Sequence, residues 1–161
     1  FGFLEKPFVT QETIELEGLR VVLDKLVHHC ENVDLPSTLS HAFIYFLSIH
    51  NLSDRTVTIL GRKWVLKNDD YTTTVVEGDK VVGETPILAT GETFTYNSYH
   101  LTHIGAIASG SFHGVDELDN KIRVRIPEFR LEIPDETDPT PLFVKLTDLN
   151  PGGGIGANSL L

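Results

Sequence analysis

Apolar residues recur at every second position in several short runs along the chain, which is the spacing of β-strands. Residues 42–49 form the most apolar run, and both of its faces are apolar, as expected of a central strand between two layers. Turn-forming residues separate the runs at 51–54, 68–70, 90–91 and 119–120. The other predicted strands are 56–60, 62–66, 71–76, 94–96, 104–112 and 122–126. This order predicts an all-β fold, either an antiparallel sandwich or a barrel.

Gly61 lies where the apolar positions change from odd residues such as Val57 to even residues such as Trp64. Such a change of parity predicts a bulge or bend at the glycine. We expect Trp64 to point into the core of the sandwich. The alternative is an outward Trp64 that acts as a binding anchor beside Arg62.

Residues 75–82 allow two interpretations. The structural one is a hairpin in which Val75-Val76 and Val81-Val82 are joined by a tight turn at 77–80. The functional one is a loop whose backbone N–H groups bind an anion with help from Lys80. The hairpin is favoured because no helix follows whose dipole would support anion binding.

The segment 15–29 is ambiguous by its pattern alone. Its apolar residues follow a helical stripe, which predicts a helix. Val-rich residues 19–23, which follow Gly18, instead indicate a strand. The residues of the stripe are Leu16, Leu19, Leu23, Leu26 and Cys30.

Length and charge limit the classes of partner. The 161 residues, 17.9 kDa in mass, allow one domain, and 13 Lys+Arg against 23 Asp+Glu give a net charge of −10. This balance argues against binding to nucleic acids or anionic membranes. The single Cys30 excludes an intrachain disulfide, and no signal peptide is recognisable, so we expect a cytoplasmic protein. Residues 135–161 are acidic and then Gly-rich, which predicts an irregular tail, with an edge strand at 142–146 as an alternative.

Candidate chemistry in the sequence is weak. His28-His29-Cys30 and His100-x-x-His103 contain residue types that bind zinc or copper. Adjacent strand residues point to opposite faces, however, so His28 and His29 would not converge. No spacing of a catalytic motif is present either, since Ser109-Gly110-Ser111 is not a nucleophile elbow. We therefore expect a protein that is not an enzyme and has neither a metal site nor a cofactor.

The chain resembles a known family in a series of motifs that occur in the same order along the sequence. Residues 10–134 resemble the ApaG domain family, with residues 1–9 as a lead-in and 135–161 as a tail. The matching motifs are Phe43-x-Tyr45-x-Leu47-x-Ile49-x-Asn51, Arg62-x-Trp64, Gly78-x-x-Val81-Val82-Gly83-Glu84-x-Pro86-x-Leu88, Gly91-Glu92-x-Phe94-x-Tyr96-x-Ser98, Gly105 with Gly110-Ser111-Phe112, and Ile126-Pro127-x-Phe129-x-Leu131.

The resemblance implies a fibronectin type III/immunoglobulin-like sandwich of two antiparallel sheets, with a first strand after Gly18 in place of a helix. ApaG domains occur alone in bacteria, where they are associated with cobalt and magnesium homeostasis, and fused to other domains such as F-boxes. A pyrophosphate or nucleotide site has been attached to the family's Gly-x-Gly-Val-Val-Gly stretch. Here Lys80 replaces the middle glycine, which argues against close approach of a phosphate.

We therefore expect a protein-interaction module whose partner is another protein or a second copy of the chain. A sheet edge that accepts a partner strand would be one mechanism. The alternative is a protein that binds a small anion or is linked to a divalent metal. The candidate ligand- or partner-binding residues are Arg62, Gly78, Lys80, Val81, Val82, Gly83, Glu84, Arg123 and Arg125.

Overall fold

A computed structural model describes residues 12–30 and 41–134, and these residues form strands without any helix. The lead-in 1–9, the tail 135–161 and the predicted edge strand 142–146 lie outside the described residues. The strands are β1 (Ile14–Glu15), β2 (Leu19–Cys30), β3 (His41–Asn51), β4 (Val57–Asn68), β5 (Thr73–Asp79), β6 (Ile87–Leu88), β7 (Thr93–Thr102), β8 (Ala106–Asp116) and β9 (Lys121–Leu131). Within the described ranges, no helix is long and apolar enough to cross a membrane.

The strands form two sheets, which confirms the predicted sandwich. The large sheet has the order β1-β9-β8-β4-β5, and β6 also pairs with β4. The small sheet has the order β2-β3-β7. All pairs are antiparallel except β1 with β9, which is parallel.

The strand that the resemblance implies after Gly18 is confirmed, and the helix that the apolar stripe predicts for 15–29 is wrong, because most of this segment is strand β2. Its pairing with β3 runs from Leu19 opposite Asn51 to Cys30 opposite His41 and contains one bulge after Leu23. The bulge shifts the side-chain alternation by one position, so apolar residues on both sides of it face the core. A helical spacing thus arises from an interrupted strand.

The hairpin predicted for 75–82 is also wrong. Residues 73–79 form one continuous strand that pairs with β4, so the hairpin turn lies earlier, between Asn68 and Thr73. Tyr71, which the sequence placed in a strand, belongs to that turn and has a φ of 68°. The bulge predicted at Gly61 is confirmed, since the pairing of β4 with β8 shifts between Ile59 and Gly61.

The core between the sheets is built on an aromatic cluster. Trp64 and Tyr45 are almost fully buried, and their ring centroids lie 4.8 Å apart. His100 packs on both rings at 4.6 Å from Trp64 and 4.9 Å from Tyr45. The prediction that Trp64 is a core residue is therefore confirmed.

Gly114 allows β4 and β8 to approach closely. A Cβ atom at Gly114 would lie 1.9 Å from the carbonyl oxygen of Thr58, so any side chain would push the strands apart. We predict that Gly114→Ala lowers the free energy of unfolding by about 2–3 kcal/mol, the upper range for overpacking. The measurement is urea denaturation.

Gly91→Ala is the matched control. Gly91 has a φ of +91°, but no atom lies within 4 Å of a Cβ placed there. The strain of a left-handed alanine costs only about 1–2 kcal/mol, without steric overlap. Equal losses for the two variants would show that the contact with Thr58 does not limit the strand spacing.

His100 makes the stability dependent on pH. Neither of its ring nitrogens has a hydrogen-bond partner among the described residues, and burial lowers its pKa from 6.5 to about 3. Below pH 6.5 the unfolded chain binds a proton at this imidazole that the folded chain excludes. We predict that stability falls as the pH drops from 6.5 toward 3, and that His100→Phe reduces this slope by up to about 1.4 kcal/mol per pH unit.

The measurement is urea denaturation at a series of pH values, and the slopes are compared between variants. His103→Asn, a substitution at an exposed histidine of the same chain region, is the control. An unchanged slope in His100→Phe would contradict the assignment of this acid sensitivity to His100.

Candidate functional site

Arg62 fixes the loop that follows β5. Its side chain is buried, and Nη1 donates hydrogen bonds to the carbonyl oxygens of Asp79 at 2.9 Å and Lys80 at 3.0 Å. A Cβ atom at Gly78 would lie 2.6 Å from the same Nη1. The absence of a side chain at Gly78 therefore leaves room for the guanidinium. Through its two hydrogen bonds, Arg62 holds the backbone of the loop in place.

A tight turn follows at residues 81–84. Val81 and Glu84 exchange both backbone hydrogen bonds, at 2.8 and 2.9 Å. The two central residues, Val82 and Gly83, have φ values of 43° and 82°, as in a type I′ turn. A β-branched residue in the left-handed region is unusual, and here burial of the valine side chain in the main core accompanies it. Val81 and Val82 thus anchor the turn in the core.

Lys80 has a left-handed backbone conformation that is more usual for glycine. It occupies the position at which the ApaG motif has a glycine, its φ is 69°, and its side chain is exposed. Its N–H group donates to the carbonyl oxygen of Leu60 at 2.6 Å. The N–H groups of Lys80, Val81 and Glu84 are thus all donated to carbonyl oxygens of the protein, so they are not available to an anion.

The second candidate set lies on the outer face of the large sheet. Lys121, Arg123 and Arg125 are exposed there, while the alternate residues of β9 are buried. This confirms the half-buried strand with a basic outer face. Arg125 lies opposite Ser111 of β8, and Ser111 lies opposite Lys63 of β4, so these three side chains form one row across the sheet.

A shallow groove of about 560 Å³ follows this row, and we call it the basic groove. Its charged lining consists of three cations and one carboxylate. The lining residues are Lys63, Val65, Ser109, Gly110, Ser111, Arg123, Arg125, Ile126, Pro127 and Glu128. Three cations thus lie together on one face of a chain with an overall charge of −10, and Oε1 of Glu77, 3.5 Å from Nζ of Lys63, balances part of their charge.

Glu15 of β1 reaches this surface from the sheet edge. A single carboxylate oxygen, Oε2, lies 3.4 Å from Nη2 of Arg123 and 3.2 Å from Nη2 of Arg125. The parallel pairing of β1 with β9, in which Glu15 lies opposite Arg123, brings it there. Elsewhere on the sheet, Asp69 and Arg130 form a bidentate pair at 2.7 and 2.8 Å. The contact made by Glu15 is longer and uses one oxygen only.

The structure does not bring the two candidate sets together. Asp79, at the start of the loop, lies in the same row as Arg123, and two strands, β8 and β4, separate them. Three strand spacings correspond to roughly 14 Å. The loop after β5 and the basic groove are therefore separate candidate sites.

Comparison with known proteins identifies the family. A model of the ApaG domain matches residues 32–116. Protein ApaG of Vibrio cholerae is 35% identical over 108 residues, which cover 66% of this chain and 85% of that protein. Protein ApaG of Yersinia pseudotuberculosis is 31% identical over 121 residues, covering 74% and 96%. The chain belongs to the ApaG domain family.

Two solved structures share the fold of this ApaG domain. The X-ray structure of a structural genomics target, SoR45, has a TM-score of 0.63 at 22% identity and covers 80% of this chain and 96% of that one. The crystal structure of a provisionally assigned ApaA protein from Bordetella pertussis has a TM-score of 0.60 at 24% identity, covering 75% and 98%. These likenesses support the fibronectin type III/immunoglobulin-like sandwich.

The histidines of this ApaG domain are arranged differently from the sequence motifs. His100 is in the core and His103 is exposed, so this pair does not converge. His28 instead meets His41, with Nε2 and Nδ1 2.8 Å apart, and burial is the main cause that lowers the pKa of both imidazoles. Within residues 12–30 and 41–134, no three His, Cys, Asp or Glu side chains are arranged to hold a metal ion.

Sequence reasoning missed Glu15 and the contact between His28 and His41. Each depends on strand pairing between distant segments: Glu15 is 108 residues from Arg123, and His28 is 13 residues from His41. The alternation of β9 was visible in the sequence, but the identity of its edge partner was not. Only knowledge of the pairing register between β1 and β9 would have identified Glu15 as that partner.

The geometry of the loop gives a test of the anion alternative. Because the N–H groups of Lys80, Val81 and Glu84 and the guanidinium of Arg62 are engaged with backbone carbonyls, we predict that pyrophosphate, ATP or Mg²⁺ at millimolar concentration leaves the melting temperature unchanged. Differential scanning fluorimetry measures this. A rise in melting temperature that is lost in Lys80→Ala would instead establish an anion site at the loop.

Proposed function

We propose that this ApaG domain is a non-enzymatic protein-interaction module that binds a partner protein at the basic groove. The observation that supports it is the cluster of Lys63, Arg123 and Arg125 on one exposed sheet face of a strongly acidic chain. Complementary charge on a partner would steer its approach and orient it. The proposal includes a cytoplasmic location, in keeping with the exposed free thiol of Cys30.

The groove is suited to a macromolecular partner because it is wide, open and rigid. Its floor consists of hydrogen-bonded strands β4, β8 and β9, so binding needs little ordering of the backbone. Two arginines can provide several directed hydrogen bonds each, and Arg is enriched at protein interfaces. Val65 and Pro127 add apolar lining between the polar groups.

The small-anion or metal-linked alternative, including a link to cobalt and magnesium homeostasis, has less support from the geometry. The loop residues proposed for it serve as anchors of the backbone, and the arginines of the groove lie at the other edge of the sheet. Inorganic ligands would therefore have to bind at the basic groove rather than at the loop. The thermal measurements above separate the two positions when Arg123→Gln is included.

The proposal predicts that reversing charge at the groove abolishes partner binding. The full chain is used as bait in a pull-down, and Arg123→Glu/Arg125→Glu is compared with wild type by quantitative mass spectrometry. Partners that depend on the groove should fall at least about tenfold, since the loss of one member of a charge pair that the complex buries costs about 2–5 kcal/mol.

Lys25→Glu is the control, because Lys25 lies on the small sheet over the ring of Phe46, 5.5 Å from its centroid. Both variants should keep the melting temperature of the wild type, since exposed ion pairs contribute only about 0–1 kcal/mol. If both charge reversals remove the same partners, the groove is not the binding surface. Association of the bait with its own copies, measured by light scattering, would identify a homodimer as the interaction.

A further inference from the structure

The two groove arginines are spaced like alternate residues of an extended chain. Arg123 and Arg125 follow each other at i and i+2 on β9, so their Cα atoms are about 6.6–6.8 Å apart. An extended peptide that lies along β9 has the same spacing between its own alternate side chains. Carboxylates at every second position of such a peptide would each meet one guanidinium.

The contacts of Glu15 leave capacity for such a ligand. Each guanidinium has five N–H donors, and Glu15 engages Nη2 of each arginine through one shared oxygen. The side chains of Arg123 and Arg125 remain 44% and 71% exposed. A carboxylate of a partner could form the bidentate geometry that Asp69 and Arg130 show elsewhere in this sheet.

A ligand could also displace the Glu15 carboxylate from the two arginines. Its side chain is 50% exposed, and β1 consists of two residues only. The following Leu16 packs against the core, which fixes the backbone while the carboxylate is free to rotate away. Displacement therefore requires no rearrangement of the sheet.

We propose that Arg123 and Arg125 bind an extended acidic segment of a partner protein, with Asp or Glu at alternate positions, and that Glu15 competes for the same guanidinium groups. This inference rests on the proposed function and specifies the chemistry of the partner. β1 already pairs with β9 beside Arg123, so the backbone of β9 is occupied there and recognition runs through side chains. Because a ligand must displace the Glu15 carboxylate, weakly acidic segments bind the two arginines too weakly to compete with it.

Fluorescence anisotropy with labelled peptides tests this proposal. The probe alternates serine with glutamate, and the comparison peptides carry the same number of glutamates at every third position, or glutamine in place of glutamate. The alternating peptide should bind more tightly than both. Glu15→Gln should tighten binding about two- to fivefold, the equivalent of one exposed ion pair. Arg123→Gln/Arg125→Gln should weaken it at least about tenfold.

Lys25→Gln is the matched control and should leave all affinities unchanged. Equal binding of the two glutamate spacings would show general charge attraction and overturn the proposal. Weaker binding in Glu15→Gln would show that Glu15 positions the arginines instead of competing with the ligand, and would overturn the competition. Inorganic phosphate that displaces the peptide at equal concentration would identify a simple anion site.

Negative results in the peptide and pull-down experiments refute different proposals. Partners lost in Arg123→Glu/Arg125→Glu, together with no binding of the alternating peptide, would refute this acidic-segment inference and leave the proposed function standing. Partners that do not depend on the arginines would refute both.

Discussion

The structure depends on the close, two-sided pairing of β4 at the centre of the large sheet. Its inner side places Trp64 in the aromatic core, and its outer side places Lys63 in the basic groove. Close approach to β8 is possible because Gly110 and Gly114 have no side chains where backbone oxygens of β4 lie, and a Cβ there would come within 2.4 and 1.9 Å of them. The position of β4 therefore determines both the packing of the aromatic core and the place of Lys63 on the outer face.

The same strand explains the division between the loop and the groove. Arg62 is buried, and its guanidinium holds the backbone after β5, so this charge is used inside the fold. Its neighbour Lys63 lies on the opposite, outer face of the sheet, in the same row as Arg125, and its Nζ lies 3.5 Å from Oε1 of Glu77 on β5. Alternation within β4 thus gives two adjacent cations different roles, one in fixing the fold and one on the exposed face. This is why the loop and the groove offer different chemistry to a ligand.

Much of the fold could be predicted from local patterns. The alternation in β3 and β9 gave correct strands, and the parity change at Gly61 gave a correct bulge, because side-chain direction in a strand is a local property. The helix predicted for 15–29 failed because a bulge in β2 imitates helical spacing. The hairpin predicted for 75–82 failed because two valine pairs are compatible with a turn, while pairing with β4 extends the strand through Asp79.

The amino-acid sequence by itself determined the class of fold, the family, the inward position of Trp64 and the basic outer face of β9. The inward Trp64 and the basic face follow from residue type and spacing within a few positions, and the class of fold and the family follow from the order of such patterns along the chain. Only the tertiary structure decided that Arg62 serves the loop backbone, that His28 meets His41, and that Glu15 lies on Arg123 and Arg125. These contacts join segments that are distant in the chain, and their geometry depends on strand register, which no local pattern specifies.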